Sequence, residues 1–253
     1  MKMLVAAVAL MLFVQDPPPP APKEPPFKPL CEVVKHLDRG IETFFAGKPL
    51  GECFKPWESG EAGEIRVSAL REELKKKGVT GARAFATELD LEFVSEGKAV
   101  YLVKALVHVT ATETVLLGLK GRKNETPATG LPLGKCPKES APFGEAAATL
   151  LSLLKANKAD ELPFADGDKV SKLAPDKFQE PVVHALTKSR GDAAKVCSTL
   201  AELKYDEVRV QLDEQYFTAL GADGAMKDGF INTKLTLKET GEVQVRVTKY
   251  ETH

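Results

Sequence analysis

The sequence predicts an α+β fold made of two similar halves, each with two helices packed on an antiparallel sheet. Residues 87–109 form the longest strand-like run, which turns back on itself at Ser95-Glu96-Gly97-Lys98. A shorter run of the same kind spans residues 233–247. Helical patterns precede both runs, and helices followed by hairpins are typical of α+β domains.

Residues 1–15 are expected to be a signal peptide. One lysine precedes a charge-free apolar run from Met3 to Val14, which is shorter than the roughly 20 residues of a membrane-spanning helix. No small-x-small pair directly precedes Asp16, so an uncleaved anchor is the alternative. We therefore expect an exported protein, whether periplasmic, at the cell surface or secreted, that meets a membrane only through an uncleaved leader.

Residues 16–29 are predicted to be a proline-rich linker. Proline fixes φ and removes a backbone donor, so the segment should be an extended tether. A ligand for a proline-recognising partner is the alternative. Two α+β domains are expected to follow, at 30–135 and 136–253.

The charge balance bears on possible partners. The formal net charge of the chain is −1, and neither half carries the basic excess that binding to a phosphate backbone requires. Nucleic acid is therefore not an expected partner. The expected partner is an envelope protein or a small ligand.

The four cysteines, Cys31, Cys53, Cys136 and Cys197, fall two in each half. In an exported protein an even count favours disulfides, and the pairing that respects the halves is Cys31–Cys53 with Cys136–Cys197. Buried free thiols are the alternative. Because no Cys-x-x-Cys occurs, no metal site is expected.

The first half begins with two helices. Apolar positions from Leu30 to Phe45 recur at three- and four-residue steps, and the first helix should end near Gly47. The second is expected over residues 64–77, ending at Gly78 in the left-handed conformation.

The register of the first hairpin suggests a binding surface. If Glu96 and Gly97 are the central turn residues, Phe93 lies opposite Val100. One face then carries acidic side chains from the first strand and apolar ones from the second, and it needs a cover from the other half, a partner or a ligand. The candidate binding residues are Tyr101, Val103, Val107 and His108, with Trp57 from the loop at residues 51–63.

His108 is interpreted as an exposed strand histidine, with a general base as the alternative. The acidic row Glu88, Asp90 and Glu92 is interpreted as a solvated strand face, with attraction of a cation or a basic partner as the alternative.

The second half repeats the order of elements. A short strand at 114–119 and a linker at 120–135 lead to helices near 143–154 and 175–190, a strand at 207–212 and the hairpin at 233–247. The second of these helices should stop at Gly191, as the earlier one stops at Gly78. These matched landmarks favour a divergent tandem repeat, with one larger α+β domain as the alternative.

Known catalytic motifs are missing from the sequence. No G-x-S-x-G, H-E-x-x-H, P-loop or dinucleotide-binding G-x-G-x-x-G occurs. Asp166-Gly167-Asp168 is interpreted as a turn, since further oxygen ligands do not follow at the spacing of an EF-hand. No catalytic residue, metal or cofactor is therefore expected.

The chain resembles tandem NTF2-like or cystatin-like domains of exported bacterial proteins. The resemblance is carried by F-F-A-G-K-P-L-G-E-C-F at 44–54 and A-L-R-E-E-L-K-K-K-G at 69–78, and by L-L-K-A-N-K-A-D-E-L-P-F at 153–164 and V-V-H-A-L-T-K-S-R-G at 182–191. It implies a curved sheet wrapped around helices, sometimes enclosing a small-molecule pocket. An exported, non-enzymatic binding or interaction module is therefore expected. The alternative is a pocket enzyme that performs acid–base chemistry in an NTF2-like cavity.

Overall fold

The computed structural model describes residues 41, 44–47, 58–59, 67–110, 112–133, 142–237 and 243–252. The predicted signal peptide and linker, most of the first predicted helix, Trp57, Cys31, Cys53 and Cys136 lie outside these residues.

Residue 41 and residues 44–46 are helical, where the sequence predicts the first helix. The further helices are α1 (Val67–Lys76), α2 (Pro142–Lys155), α3 (Gly167–Leu173) and α4 (Asp176–Glu202), with a 3-10 turn at Ala159–Glu161. Gly78 ends α1 with a φ of 75°, which confirms its predicted role as a left-handed helix terminator. Asp166 caps α3 by accepting a hydrogen bond from Lys169 N at 2.7 Å, so the Asp166-Gly167-Asp168 stretch begins a helix.

The strands are β1 (Glu58–Ser59), β2 (Gly81–Ser95), β3 (Lys98–Val109), β4 (Thr114–Pro127), β5 (Leu131–Pro132), β6 (Glu207–Leu220), β7 (Met226–Leu237) and β8 (Val243–Thr252). They form one eight-stranded sheet in the order β1-β8-β7-β6-β2-β3-β4, with β5 joined to β6. The β1–β8 pairing is parallel, and all the other pairings are antiparallel. The prediction of an α+β fold with an antiparallel sheet is confirmed.

The sheet is continuous across the predicted domain boundary at residues 135 and 136. β6, from the second predicted domain, pairs along the length of β2, from the first. The predicted helix stop at Gly191 is wrong, because α4 continues through this glycine to Glu202. One landmark of the predicted repeat is therefore not a helix end, and two similar halves stay a prediction.

The two faces of the sheet are covered differently. The first core packs Leu89, Leu91 and Phe93 of β2 against helical residues that include Leu150 and Val196. The second core lies on the other face around Phe85, Val115 and Leu117, under the N-terminal half of α4. Since β4 is the edge strand, α4 runs past this edge and supplies apolar side chains to both cores.

The predicted register of the β2–β3 hairpin is wrong by one residue. The turn itself is as predicted: Glu96 and Gly97 have positive φ values of 50° and 77°, which a two-residue hairpin turn requires. An irregularity between Phe93 and Val94 then shifts the ladder, so that Phe93 pairs with Tyr101 instead of Val100. β3 has one extra residue at this point. Every β3 side chain from Tyr101 onward therefore lies on the opposite face of the sheet from the one predicted.

Residues 128–130 cross the hairpin between β4 and β5. Ala128 N donates to Gly97 O at 3.2 Å. The buried carboxylate of Glu92 then accepts from the backbone N–H groups of Thr129 and Gly130 at 3.0 and 2.7 Å. The predicted linker at 120–135 is wrong in its first part, because β4 continues to Pro127.

Among the helices that the structure describes, none is both long and apolar enough to cross a membrane.

Candidate functional site

A charged cluster, formed by Glu88, Asp90, Lys104 and Asp213, lies on the sheet face opposite the first core. Asp90 and Lys104 are Cα partners on β2 and β3. Asp213 comes from β6, where the β2–β6 register shifts. The Lys104 ammonium donates to the Glu88 carboxylate and lies 3.3 Å from Oδ2 of Asp90 and 3.4 Å from Oδ2 of Asp213. One ammonium therefore holds three carboxylates together.

Burial and ion pairing together set the protonation states of Asp90 and Lys104 in this cluster. Asp90 is only 6% exposed, and burial raises its pKa to about 6 against the opposing charge of Lys104. Burial alone would lower the pKa of Lys104, but the bond to Glu88 and the nearby carboxylates outweigh it and raise that pKa. Lys104 therefore stays protonated at neutral pH, and it is neither a nucleophile nor a general base.

The cluster does not need a metal ion. Its three carboxylates offer oxygen atoms within 4.8 Å of one another, an arrangement that hard divalent cations could use. The ammonium of Lys104 already lies among these oxygens, however, and a metal would have to displace it. We interpret the cluster as an internal ion-pair network.

A cleft of about 410 Å³ opens beside the cluster, between the sheet and α4. Leu106 and Gly118 form an apolar part of the strand floor, charged strand residues border it, and α4 supplies a polar wall. The full lining is Glu88, Lys104, Leu106, Gly118, Leu119, Lys120, His184, Ala185, Lys188, Ser189, Asp192 and Tyr216.

The α4 wall follows from helical spacing. His184, Lys188 and Asp192 recur every four residues, so they lie on one face of the helix. Ala185 and Ser189 form a second row with the same spacing. Because the helix runs past the edge strand, both rows meet the same cleft.

Tyr216 forms a fixed side of the cleft. Its hydroxyl donates to Oε2 of Glu214 at 2.8 Å. Burial, followed by this bond, raises the pKa of Tyr216, so the phenol stays protonated. The ring packs against Phe85 and Phe178, with centroids 6.0 and 6.3 Å away, and these contacts limit its movement.

Three of the predicted binding residues are core residues. Tyr101, Val103 and Val107 are 6%, 0% and 0% exposed and belong to the first core. With the corrected register they share a face with Leu91 and Phe93, which helices of the chain itself cover. This face is therefore covered by the chain itself and is not left open to a partner or ligand.

His108 is buried, and its interpretation as an exposed strand histidine is wrong. Its exposure is 7%, and Nδ1 lies 3.2 Å from Phe85 O. Burial lowers its pKa, and the contact with Phe85 opposes this change. His108 is not among the residues that line the cleft.

The interpretation of the acidic row as a solvated face is wrong for two of its three members. Asp90 and Glu92 are 6% and 5% exposed. Asp90 belongs to the charged cluster, and Glu92 holds residues 128–130.

Cys197 is a free thiol with 0% exposure, and burial raises its pKa. The predicted Cys136–Cys197 disulfide is therefore not formed, whereas the Cys31–Cys53 pair remains a prediction. Cys136 lies outside the described residues, as do Cys31, Cys53 and the candidate binding residue Trp57.

The sequence pattern did not identify the cleft, because α4 and β6 are distant along the chain from the three consecutive strands β2, β3 and β4 that complete its lining. One signal was present. Lys104 interrupts an apolar strand within 20 residues of Glu88 and Asp90, and the correct register would have paired it with Asp90. Nothing local indicated Asp213, whose position depends on the β2–β6 pairing.

No protein-family model matches this chain, and the searches of curated proteins and of solved structures also found no match.

Proposed function

We propose that the protein is a non-enzymatic binding module that takes a small ligand in the cleft between the sheet and α4. The observation that carries this proposal is a cleft that combines apolar positions on its floor with polar side chains on the facing helix. Binding sites for small molecules are typically concave, with a few polar groups that fix orientation.

The chemistry of the lining favours binding over catalysis. Lys104 stays protonated within its carboxylates, and the Tyr216 phenol is bonded to Glu214. Tyr216 is the described lining residue whose hydroxyl is bonded to a carboxylate, and its raised pKa opposes the deprotonation that would make it a nucleophile. The pocket-enzyme alternative therefore has no supporting arrangement in the cleft.

The proposal includes the setting expected from the sequence. Residues 1–15 direct export, and residues 16–29 hold the folded part away from the envelope. Placing a ligand between sheet and helix agrees with the resemblance to NTF2-like domains, and the two similar halves remain part of this proposal.

The test fills the cleft and looks for loss of binding. A library of small organic molecules is screened against the 15N-labelled protein by amide chemical shifts. We expect hits whose shifts concentrate on cleft residues such as Gly118 and Ser189. Ala185→Trp should abolish them, because Ala185 lines the cleft. Ala194→Trp is the matched control, since Ala194 is exposed on the same helix and does not line the cleft.

Two results would overturn the proposal. One is a library that yields no saturable shifts in the cleft. The other is a set of hits that bind Ala185→Trp as well as they bind the unmodified protein.

A further inference from the structure

We propose that this cleft selects a small organic molecule with one anionic group, a carboxylate or a phosphate, on an apolar body. Lys120, Lys188 and the Ser189 hydroxyl would hold the anionic group. The inference rests on the proposed function and adds the chemical class of the ligand.

The lysines that line the cleft without an ion pair to a described residue favour an anionic ligand. Lys104 and Lys120 are Cα partners on β3 and β4, and like charges directly opposite each other on a sheet repel. Carboxylates compensate Lys104. Among the described residues, Lys120 forms no ion pair, and neither does Lys188 on the facing helix. Asp192, which also lines the cleft, forms none with a described residue either, so two unpaired ammonium groups face one unpaired carboxylate, and this excess of positive charge favours an anion.

The Ser189 hydroxyl is a second group in the cleft that can donate a hydrogen bond to the anion. Other hydroxyl groups on α4 donate to carbonyls of their own helix, as Thr187 does to Val183 O at 3.1 Å and Thr199 to Lys195 O at 2.8 Å. Ser189 is 7% exposed and lines the cleft, yet its hydroxyl has no hydrogen-bond partner among the described residues. Its oxygen is not among the fully buried side-chain atoms that lack a partner, so it is reached from the cleft and this donor is available to a ligand.

Gly118 provides the space in front of that hydroxyl. A Cβ at this position would lie 3.6 Å from Ser189 Oγ and 3.7 Å from Leu106 Cβ. These are ordinary contact distances, so a methyl group would fill the space without a clash. The glycine leaves room for ligand atoms between Leu106 and Ser189.

The carboxylates of the lining limit the ligand to one anionic group. Glu88 and Asp192 also border the cleft, and each would repel a second negative group. The apolar body would lie over Leu106 on the floor. This arrangement fits an amphipathic monocarboxylate or phosphate ester better than a polyanion.

The experiment compares four aromatic probes of similar shape on the 15N-labelled full chain. Benzoate and phenyl phosphate carry the anion, benzamide is neutral and benzylamine is cationic. We expect benzoate, phenyl phosphate or both to shift the amides of Gly118 and Ser189 saturably, and at least tenfold more tightly than benzamide or benzylamine. The preferred anion identifies the headgroup.

Substitutions test whether the named lining residues hold the anionic group. Lys188→Gln, Lys120→Gln and Ser189→Ala should each weaken anion binding about three- to tenfold, and Gly118→Ala should weaken it by filling the space. Lys195→Gln and Ser198→Ala are the controls on the same helix, since both residues are exposed and neither lines the cleft. The controls should bind as the unmodified protein does.

The possible failures are distinguishable. If benzamide or benzylamine binds in the cleft as tightly as the anions do, selection of an anion is wrong while the proposed binding function stands. Anion binding that Lys188→Gln and Lys120→Gln both leave intact also overturns the inference. If none of the four probes shifts cleft residues, the inference is wrong, and the broader library with Ala185→Trp then decides the proposed function.

Discussion

Lys104 Nζ lies 3.3 Å from Oδ2 of Asp90, between directly paired positions on β3 and β2. The same ammonium contacts Glu88 and Asp213, so one cation bridges three carboxylates from two strands that are far apart in sequence. Lys234 also lies 3.1 Å from Oδ1 of Asp213, whereas among the described residues Glu88 and Asp90 form ion pairs with Lys104 alone. The pairing of β2 with β6 and the charge balance of the sheet therefore depend on each other.

Replacing Lys104 should destabilise the fold most at neutral pH. Lys104→Met leaves Glu88 and Asp90 without a cation among the described residues, while Asp213 keeps Lys234. Breaking such a pair commonly costs about 3 kcal/mol or more when it is fully buried. The side chain of Lys104 is 31% exposed, so we expect a loss of about 2 kcal/mol in the free energy of unfolding. Urea denaturation at pH 7.5 measures it, with Lys123→Met as the control because Lys123 is an exposed lysine of β4. Equal urea midpoints for the two variants would contradict the assigned role of Lys104.

Asp90 should make the protein less stable as pH rises through about 6. Its pKa is raised from 3.8 to about 6 in the folded state, so the folded state binds the proton more tightly than the unfolded chain does. The associated stabilisation is fully present below the unfolded value of 3.8 and is lost as pH rises through the folded value of about 6.

The test substitutes an uncharged isostere. Asp90→Asn keeps the shape and removes the buried charge, while Glu88 and Asp213 still pair with Lys104. We expect the free energy of unfolding at pH 8 to rise by about 1–2 kcal/mol and its pH dependence between about 4 and 7 to flatten. Chemical denaturation at several pH values checks both effects. If Asp90→Asn kept the pH dependence of the unmodified protein, another group would be responsible for it.

The class of the fold was predictable because periodicity within a segment reports one buried face. The hairpin turn at Glu96-Gly97 and the helix end at Gly78 depend on local backbone chemistry, and both were predicted correctly. The register beyond Val94 was not, because an inserted residue leaves no mark in a strand that is apolar on both faces. That single shift moved Tyr101 and Val103 from a supposed surface into the first core.

The helix α4 shows a second limit of local patterns. Gly191 has the residue type of a helix end, yet α4 continues because Ala193, Val196 and Leu200 bury apolar surface beyond it. This tertiary burial outweighs the roughly 1 kcal/mol that a glycine costs within a helix. The cleft depends on α4 running past β4, so the pattern of any one segment could not indicate it.

The carboxylate of Glu92 should hold residues 128–130 in place. It accepts two backbone hydrogen bonds from Thr129 and Gly130 and lies 3.2 Å from the Thr129 hydroxyl. Glu92→Ala leaves these donors without their acceptor, and we expect a loss of about 2–3 kcal/mol in the free energy of unfolding. Glu92→Gln keeps an acceptor and should lose less. Hydrogen exchange at the amides of Thr129 and Gly130 should accelerate strongly in Glu92→Ala. Glu125→Ala is the control, because Glu125 is exposed on β4, and it should leave exchange at these two amides unchanged. Unchanged exchange at these two amides would show that other contacts hold the crossing.

Two glycines near the contact of β4 with α4 should respond in opposite directions to alanine. At Gly121 a Cβ would overlap the Tyr101 hydroxyl and approach Val196 Cγ2 to 2.8 Å, so the close packing of the helix on the strand requires glycine there. Gly121→Ala should therefore lower the free energy of unfolding by about 1–3 kcal/mol.

At Gly191 a Cβ meets nothing within 4 Å, and the position is exposed on α4. Gly191→Ala should raise the free energy of unfolding by about 0.5–1 kcal/mol, because alanine loses less conformational entropy in a helix. Thermal and urea denaturation of both variants measures the two effects. A stabilising Gly121→Ala would mean that α4 does not pack on β4 at this distance, and a destabilising Gly191→Ala would mean that the helix does not continue through this residue.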